Sequence, residues 1–150
     1  MSPLAAAIQW SPEHAFESRR IESNVPHSPG VYEILQSPKY PRYAGETRVL
    51  KIGCSKADLR AELSNHLIRH AAANRLTRVR NQADVRVSFR YAVVGEAVAV
   101  STEKSLLRDF EDEHWDLPLL NCTRGYERGA DMHYRDTVLG RGSTSQPGDS

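Results

Sequence analysis

The clearest periodicity in the chain lies between Val85 and Val93. Val85, Val87, Phe89, Tyr91 and Val93 alternate with Arg86, Ser88 and Arg90, and a period of two predicts a strand with one buried face. Two shorter apolar runs precede it, Val31 to Leu35 and Val49 to Cys54. Between them lies the loop-like stretch Ser37-Pro38-Lys39-Tyr40-Pro41-Arg42-Tyr43-Ala44-Gly45. Two such runs joined by one loop predict an antiparallel pair. The period changes after Asp58, a helix-capping residue. Leu59, Leu63, Leu67 and Ala71 recur every fourth position with Ile68 beside them, which predicts a helix from Leu59 to about Ala73. Ser101 or Thr102 is the expected cap of a second long helix ending near His114. Pro118 closes that region, because proline cannot continue a helix. Near the start, Ser11-Pro12-Glu13 joins a hydroxyl cap, a first-turn proline and an acid, and predicts a short helix through about Arg20. The order β, β, α, β, α predicts an α+β domain with a small three-stranded antiparallel sheet flanked by helices.

At 150 residues the chain has the length of one domain and buries a core without disulfide or metal staples. Its two cysteines, Cys54 and Cys122, are far apart and lack zinc-type spacing, which fits reduced thiols. No apolar run approaches the ~20 residues of a membrane span, and the first residues lack the basic leader of a signal peptide. The expectation is a soluble, cytoplasmic protein with no membrane partner. Gly140 to Ser150 is rich in Gly, Ser and Pro and reads as a disordered tail. Net charge is only +1, so attraction to nucleic acid must come from local clusters. One such cluster is Arg75, Arg78 and Arg80, with no acid between Asn74 and Asn81. It suits phosphate contact, and equally a solvated loop or edge strand. Asp109, Glu111, Asp112 and Glu113 form a solvated acidic helix face that points away from nucleic acid.

Three groups could carry chemistry. Glu103 precedes Leu106, Leu107 and Phe110 by three, four and seven positions, which places a carboxylate on the apolar face of its helix. Burying it is costly unless a metal ion or an arginine meets it; the plainer alternative is a first-turn acid facing the helix dipole. His66 and His70 lie four apart, one turn after Glu62. They are either metal ligands or surface histidines paired with Glu62. Tyr32 and Lys51 fall on neighbouring strands. Either serves as a general base if its pKa is lowered; otherwise one packs on the sheet and the other guards an edge.

Taken in order, these residues resemble a known family. Pro29-Gly30-Val31-Tyr32 and Lys51-Ile52-Gly53 are similar to the two motifs of the GIY-YIG nuclease domain, with Lys51 in place of the second tyrosine. Asp58 to Leu67 resembles its arginine- and histidine-bearing helix, Glu103-Lys104-Ser105-Leu106-Leu107 its metal-binding glutamate, and Pro118-Leu119-Leu120-Asn121 its closing segment. The resemblance covers residues 28–122, leaving 1–27 as an N-terminal extension with a short helix and 123–150 as a C-terminal extension. It implies a metal-dependent DNA endonuclease. Glu103 would hold magnesium or manganese, Tyr32 and Lys51 would activate water, His66 would orient or relay a proton, and Asn121 would stabilise the site. One position departs from the pattern: Glu62 stands where the family carries arginine, and a carboxylate there repels phosphate. Three explanations compete. Arg60 or Arg69 takes over the role; the protein is a catalytically silent nucleic-acid-binding module; or the sequence carries an inactivating substitution. A protein-interaction domain with no nucleic-acid role is the remaining alternative.

Overall fold

In a computed structural model, residues 2–68 and 75–121 are described. The helices are α1 (Pro3–Ala6), α2 (Ser18–Asn24), α3 (Leu59–Ile68), α4 (Arg75–Arg80) and α5 (Glu96–His114), and the strands are β1 (His14–Ala15), β2 (Gly30–Pro41), β3 (Glu46–Ser55) and β4 (Arg86–Val93). The fold is α+β. Its sheet is antiparallel, with four strands in the order β1-β4-β2-β3 rather than the expected three. The three expected strands are β2, β3 and β4. The fourth, β1, is two residues long and pairs His14 with Phe89 and Ala15 with Ser88.

The helix expected from Ser11 to Arg20 is corrected by the same pairing. Ser11 N–H donates to the Tyr91 carbonyl at 2.8 Å, and Tyr91 N–H donates back to Ser11 Oγ at 3.1 Å. Tertiary pairing with an open strand edge thus overrides the local capping signal, and the helix begins at Ser18. The N-terminal segment contributes to the same core through Phe16, Ile21 and Val25, which are buried in it, whereas α1 buries no residue.

β2 and β3 run well past their apolar stretches, so the expected proline-containing loop is mostly strand. Register shifts after Ile34 and after Leu35 absorb the irregular residues, as bulges do where proline interrupts a ladder. The turn itself is short: Arg42 N–H donates to the Gly45 carbonyl at 2.9 Å, and Gly45 adopts a φ of +73°, a conformation glycine takes without penalty.

Helices cover both faces of the sheet. On one face Tyr32, Ile34 and Phe89 meet α2, α3 and α4 through Ile21, Leu59, Leu63, Leu76 and Val79. Each fully buried leucine there contributes about 1.5–3 kcal/mol relative to exposure. On the other face Ile52 packs against Leu107 and Phe110 of α5. α5 starts at Glu96, a turn and a half before the expected cap. Gly95 takes the cap position, and Thr102 is interior, its Oγ1 donating to the Val98 carbonyl at 2.7 Å. Such back-bonding lets a buried threonine sit within a helix. The Arg75–Arg80 segment is a short helix, neither loop nor strand, because Leu76 and Val79 anchor it on the core.

Candidate functional site

Tyr32 lies on the central strand β2 opposite Gly53 of β3. Its ring crosses Gly53 so closely that a Cβ at that position would meet the phenol Oη and Cζ. A glycine inside a strand often marks such a close approach, and here it opens the path of Tyr32 toward the outer edge of the sheet. The phenol ends between two side chains of α3. Its hydroxyl donates to Glu62 Oε2 at 3.0 Å and lies 2.7 Å from His66 Nε2. His66 Nε2 is also 3.4 Å from the same Glu62 oxygen. The phenol has one proton and gives it to the carboxylate. The short contact to His66 therefore places the imidazole hydrogen on Nε2, shared between the phenol oxygen and Glu62.

This arrangement changes the roles the sequence suggested. Tyr32 is only 1 % exposed. Burial, with the negative charges of Glu62 and Glu103 nearby, pushes its phenol well above the ordinary tyrosine range. Tyr32 is thus held as a neutral phenol, opposite to what a water-activating phenolate requires. Glu62 is the member that solvent reaches, with a side chain 35 % exposed against 18 % for His66. The hydrogen bond from His66 outweighs partial burial and, with help from Tyr32 and the charge of Lys51, holds the Glu62 carboxyl below its usual range. Glu62 is an ionised acceptor of two hydrogen bonds.

Glu103 approaches from α5. It is half-buried, on the shoulder of the face that buries Thr102 and Leu107. Its Oε1 is 3.6 Å from the Cys54 thiol of β3, and its charge acts on the Tyr32 phenol. Cys54 had no assigned role in the sequence. Burial and the neighbouring Glu103 push its thiol up to about 12, so it stays protonated at neutral pH. Lys51 sits near enough to act on Glu62. Tyr32, Glu62 and His66 are thus in direct contact, whereas Glu103, which meets Cys54 from the α5 side, and Lys51 act on that group through their charges.

No protein-family model, curated protein or solved structure matches this chain.

Other expected residues stand elsewhere. Arg60 Nε donates to the Val25 carbonyl at 2.7 Å. It ties α3 to the end of α2, and two positions along a helix point it away from Glu62. Asn121 forms a two-point clamp on the outer edge of β3: Ile52 N–H donates to its Oδ1 and its Nδ2 donates to the Ile52 carbonyl, both at 2.9 Å. Arg75, Arg78 and Arg80 are exposed on α4, in the layer that also carries α3. Arg80 stacks over Phe16 with its Cζ 5.5 Å from the ring centre. Arg69, His70 and Cys122 lie outside the described residues.

Among the described residues no group of three or more His, Cys, Asp and Glu side chains is arranged to hold a metal ion. A single half-buried carboxylate fits magnesium nonetheless, since that ion keeps several waters and takes further oxygens from phosphate. Sequence reading also missed Glu33, which is buried and salt-bridged to Arg90 at 2.8 Å, with the guanidinium 4.3 Å from the Trp10 ring centre. Desolvation raises its carboxyl. It lines a cavity of about 790 Å³ on the α5 face, and none of the Tyr32 group lines that cavity.

Proposed function

We propose that this chain is a GIY-YIG-type, metal-dependent endonuclease acting on DNA. The observation that carries the reading is the contact of Tyr32 with Glu62 and His66 beside β3, with Glu103 held against Cys54 on the same strand and the charges of Glu103 and Lys51 acting on the group. An open edge suits a polymer better than the enclosed concavity typical of small-molecule sites. Glu103 is the residue that would hold magnesium or manganese, and the chemistry such an ion supplies is neutralisation of charge building on the phosphate oxygens. Tyr32 is a positioning residue that fixes Glu62 and His66. Glu62, ionised and open to solvent, takes the proton of the attacking water as the new P–O bond forms. The old P–O bond breaks with its electron pair going to the leaving sugar oxygen, which is protonated from bulk water. Lys51 faces the phosphate, and Arg75, Arg78 and Arg80 grip the flanking backbone.

A second reading is favoured by one observation: the carboxylate of Glu62 occupies the family's arginine position and is accepted into the Tyr32 and His66 network. That makes a catalytically silent DNA-binding module on the same fold. Plasmid cleavage with magnesium or manganese separates the two, using the protein, Glu103→Gln, Glu62→Gln and Glu62→Arg. The nuclease reading expects cleavage that falls at least ~100-fold in Glu103→Gln, on the scale of lost transition-state stabilisers, and falls also in Glu62→Gln. The silent reading expects cleavage only in Glu62→Arg. No cleavage and no DNA binding by any of the four removes both.

A further inference from the structure

The tip of the β2–β3 hairpin, at the other end of the strands from the Tyr32–Gly53 pair, meets the end of α5 in a tight join. Ala44 N–H donates to the His114 carbonyl at 2.9 Å, and the buried ring of His114 lies with Nδ1 2.8 Å from the Ala44 carbonyl. The join holds up two large rings that the core does not use. Tyr43 is 80 % exposed and Trp115 is 67 % exposed, with ring centres 5.7 Å apart. Trp115 is also the one non-glycine residue among those described with a positive φ, at 59°. Helices commonly end on this left-handed conformation, but with glycine or asparagine, since a bulky side chain strains there. A tryptophan therefore brings strain and an exposed indole where glycine would bring neither, and backbone outliers of this kind gather at functional surfaces.

The charge around the rings is negative. Glu46, Asp112, Glu113 and Asp116 are exposed in the same segments, and Arg42 pairs with Asp116 at 3.3 Å. The adjoining cavity of about 790 Å³ repeats the sign: its walls at Glu46, Asp112, Glu113 and His114 belong to the segments that carry the two rings. Within it Arg90 is paired with Glu33 and Arg48 with Glu13. Lys39 is left against the acids Glu46, Asp109, Asp112 and Glu113. Such a surface repels a nucleic-acid backbone and draws cations, which aromatic faces also bind.

We infer that the Tyr43–Trp115 pair and the acidic groove beside it form a docking surface for a basic, arginine- or lysine-rich segment of another protein. Aromatic anchors within a charged rim are the usual make-up of a binding centre. The surface is independent of the Tyr32 group, so its test does not depend on the nuclease reading.

The test uses fluorescence anisotropy with a short labelled peptide of arginine, lysine and leucine. An acidic peptide of the same length and a single-stranded oligonucleotide serve as competing probes. Trp115→Gly is the informative variant, because glycine relieves the left-handed strain and the fold should be as stable as before or more so. Expected are saturable binding of the basic peptide, at least tenfold weaker binding in Trp115→Gly and Tyr43→Ala at an unchanged or higher Tm, and further weakening in Asp112→Lys/Glu113→Lys. Failure of the basic peptide to bind, or binding that Trp115→Gly leaves intact, overturns the inference. Preference for the oligonucleotide also overturns it and assigns the rings to base stacking.

Discussion

A single carboxylate decides how the candidate site behaves. Glu62 accepts hydrogen bonds from a buried phenol and from an imidazole, and its folded pKa is depressed below the ordinary 4.5. A depressed acid stabilises the folded state above the unfolded pKa, and that contribution is lost as pH falls through the folded value. Glu62→Gln should therefore lower the urea midpoint at neutral pH, with the difference from the parent closing below pH about 4.5. The carboxylate is more than a third exposed, so the effect is a few tenths of a kcal/mol, as for pairs screened by water. A difference that stays constant down to low pH would show that Glu62 is not the ionised acceptor described here. The residue types of this site could be read from the chain, because Tyr32, Gly53, His66 and Glu103 stand in recognisable order. Their protonation states could not. The phenol is neutral because it is buried beside Glu62 and Glu103, and no local pattern around Tyr32 reports those neighbours.

Elements were legible to the extent that their own periodicity determined them. β4 is a strand from Arg86 to Val93, as its period of two predicts, but the one buried face is not kept, since Val93 is 56 % exposed and Ala92 of the opposite face is buried. α3 starts at Leu59 and buries Leu59 and Leu63, the first two members of its repeat, while Ala71 and the expected end near Ala73 lie outside the described residues. The ends differed where another element intervened. Ser11 pairs with Tyr91 instead of capping a helix, and Thr102 bonds back within α5 instead of starting it. β3 shows the same dependence on a partner, since it is the outer strand. Its free edge is partly closed by Asn121, whose amide satisfies both backbone groups of Ile52. Asn121→Ala removes two hydrogen bonds, each worth about 1 kcal/mol net. Loss of about 1–3 kcal/mol in denaturant unfolding is expected, with faster amide exchange in β3. If exchange speeds up uniformly across the sheet instead, the clamp is not local to that strand.

The molecule as a whole carries a net charge of only +1, so the DNA binding proposed for it would have to rest on a few local cations. The exposed Arg75 and Arg78 of α4 supply two of them. If they contact phosphate, replacing both with alanine lowers the slope of log affinity against log salt by about 0.9 for each. Stability should stay within about 0.5 kcal/mol, as for ordinary surface changes. An unchanged slope would place the DNA path elsewhere. The surface with Tyr43, Trp115 and the exposed acids Glu46, Asp112, Glu113 and Asp116 has the wrong sign for such a path. By itself the sequence determined the α+β class, the three main strands, the two principal helices and the identity of most site candidates. These follow from spacings of two and four residues, which backbone geometry imposes within a segment. Tertiary structure alone decided that Arg60 turns away to Val25, that Glu62 faces solvent above a buried Tyr32, and that a two-residue strand from the N-terminal segment extends the sheet. Those outcomes depend on contacts such as Tyr32 with Glu62 and His66, which are 30 and 34 positions apart, where burial and shared protons, not periodicity, set the energy.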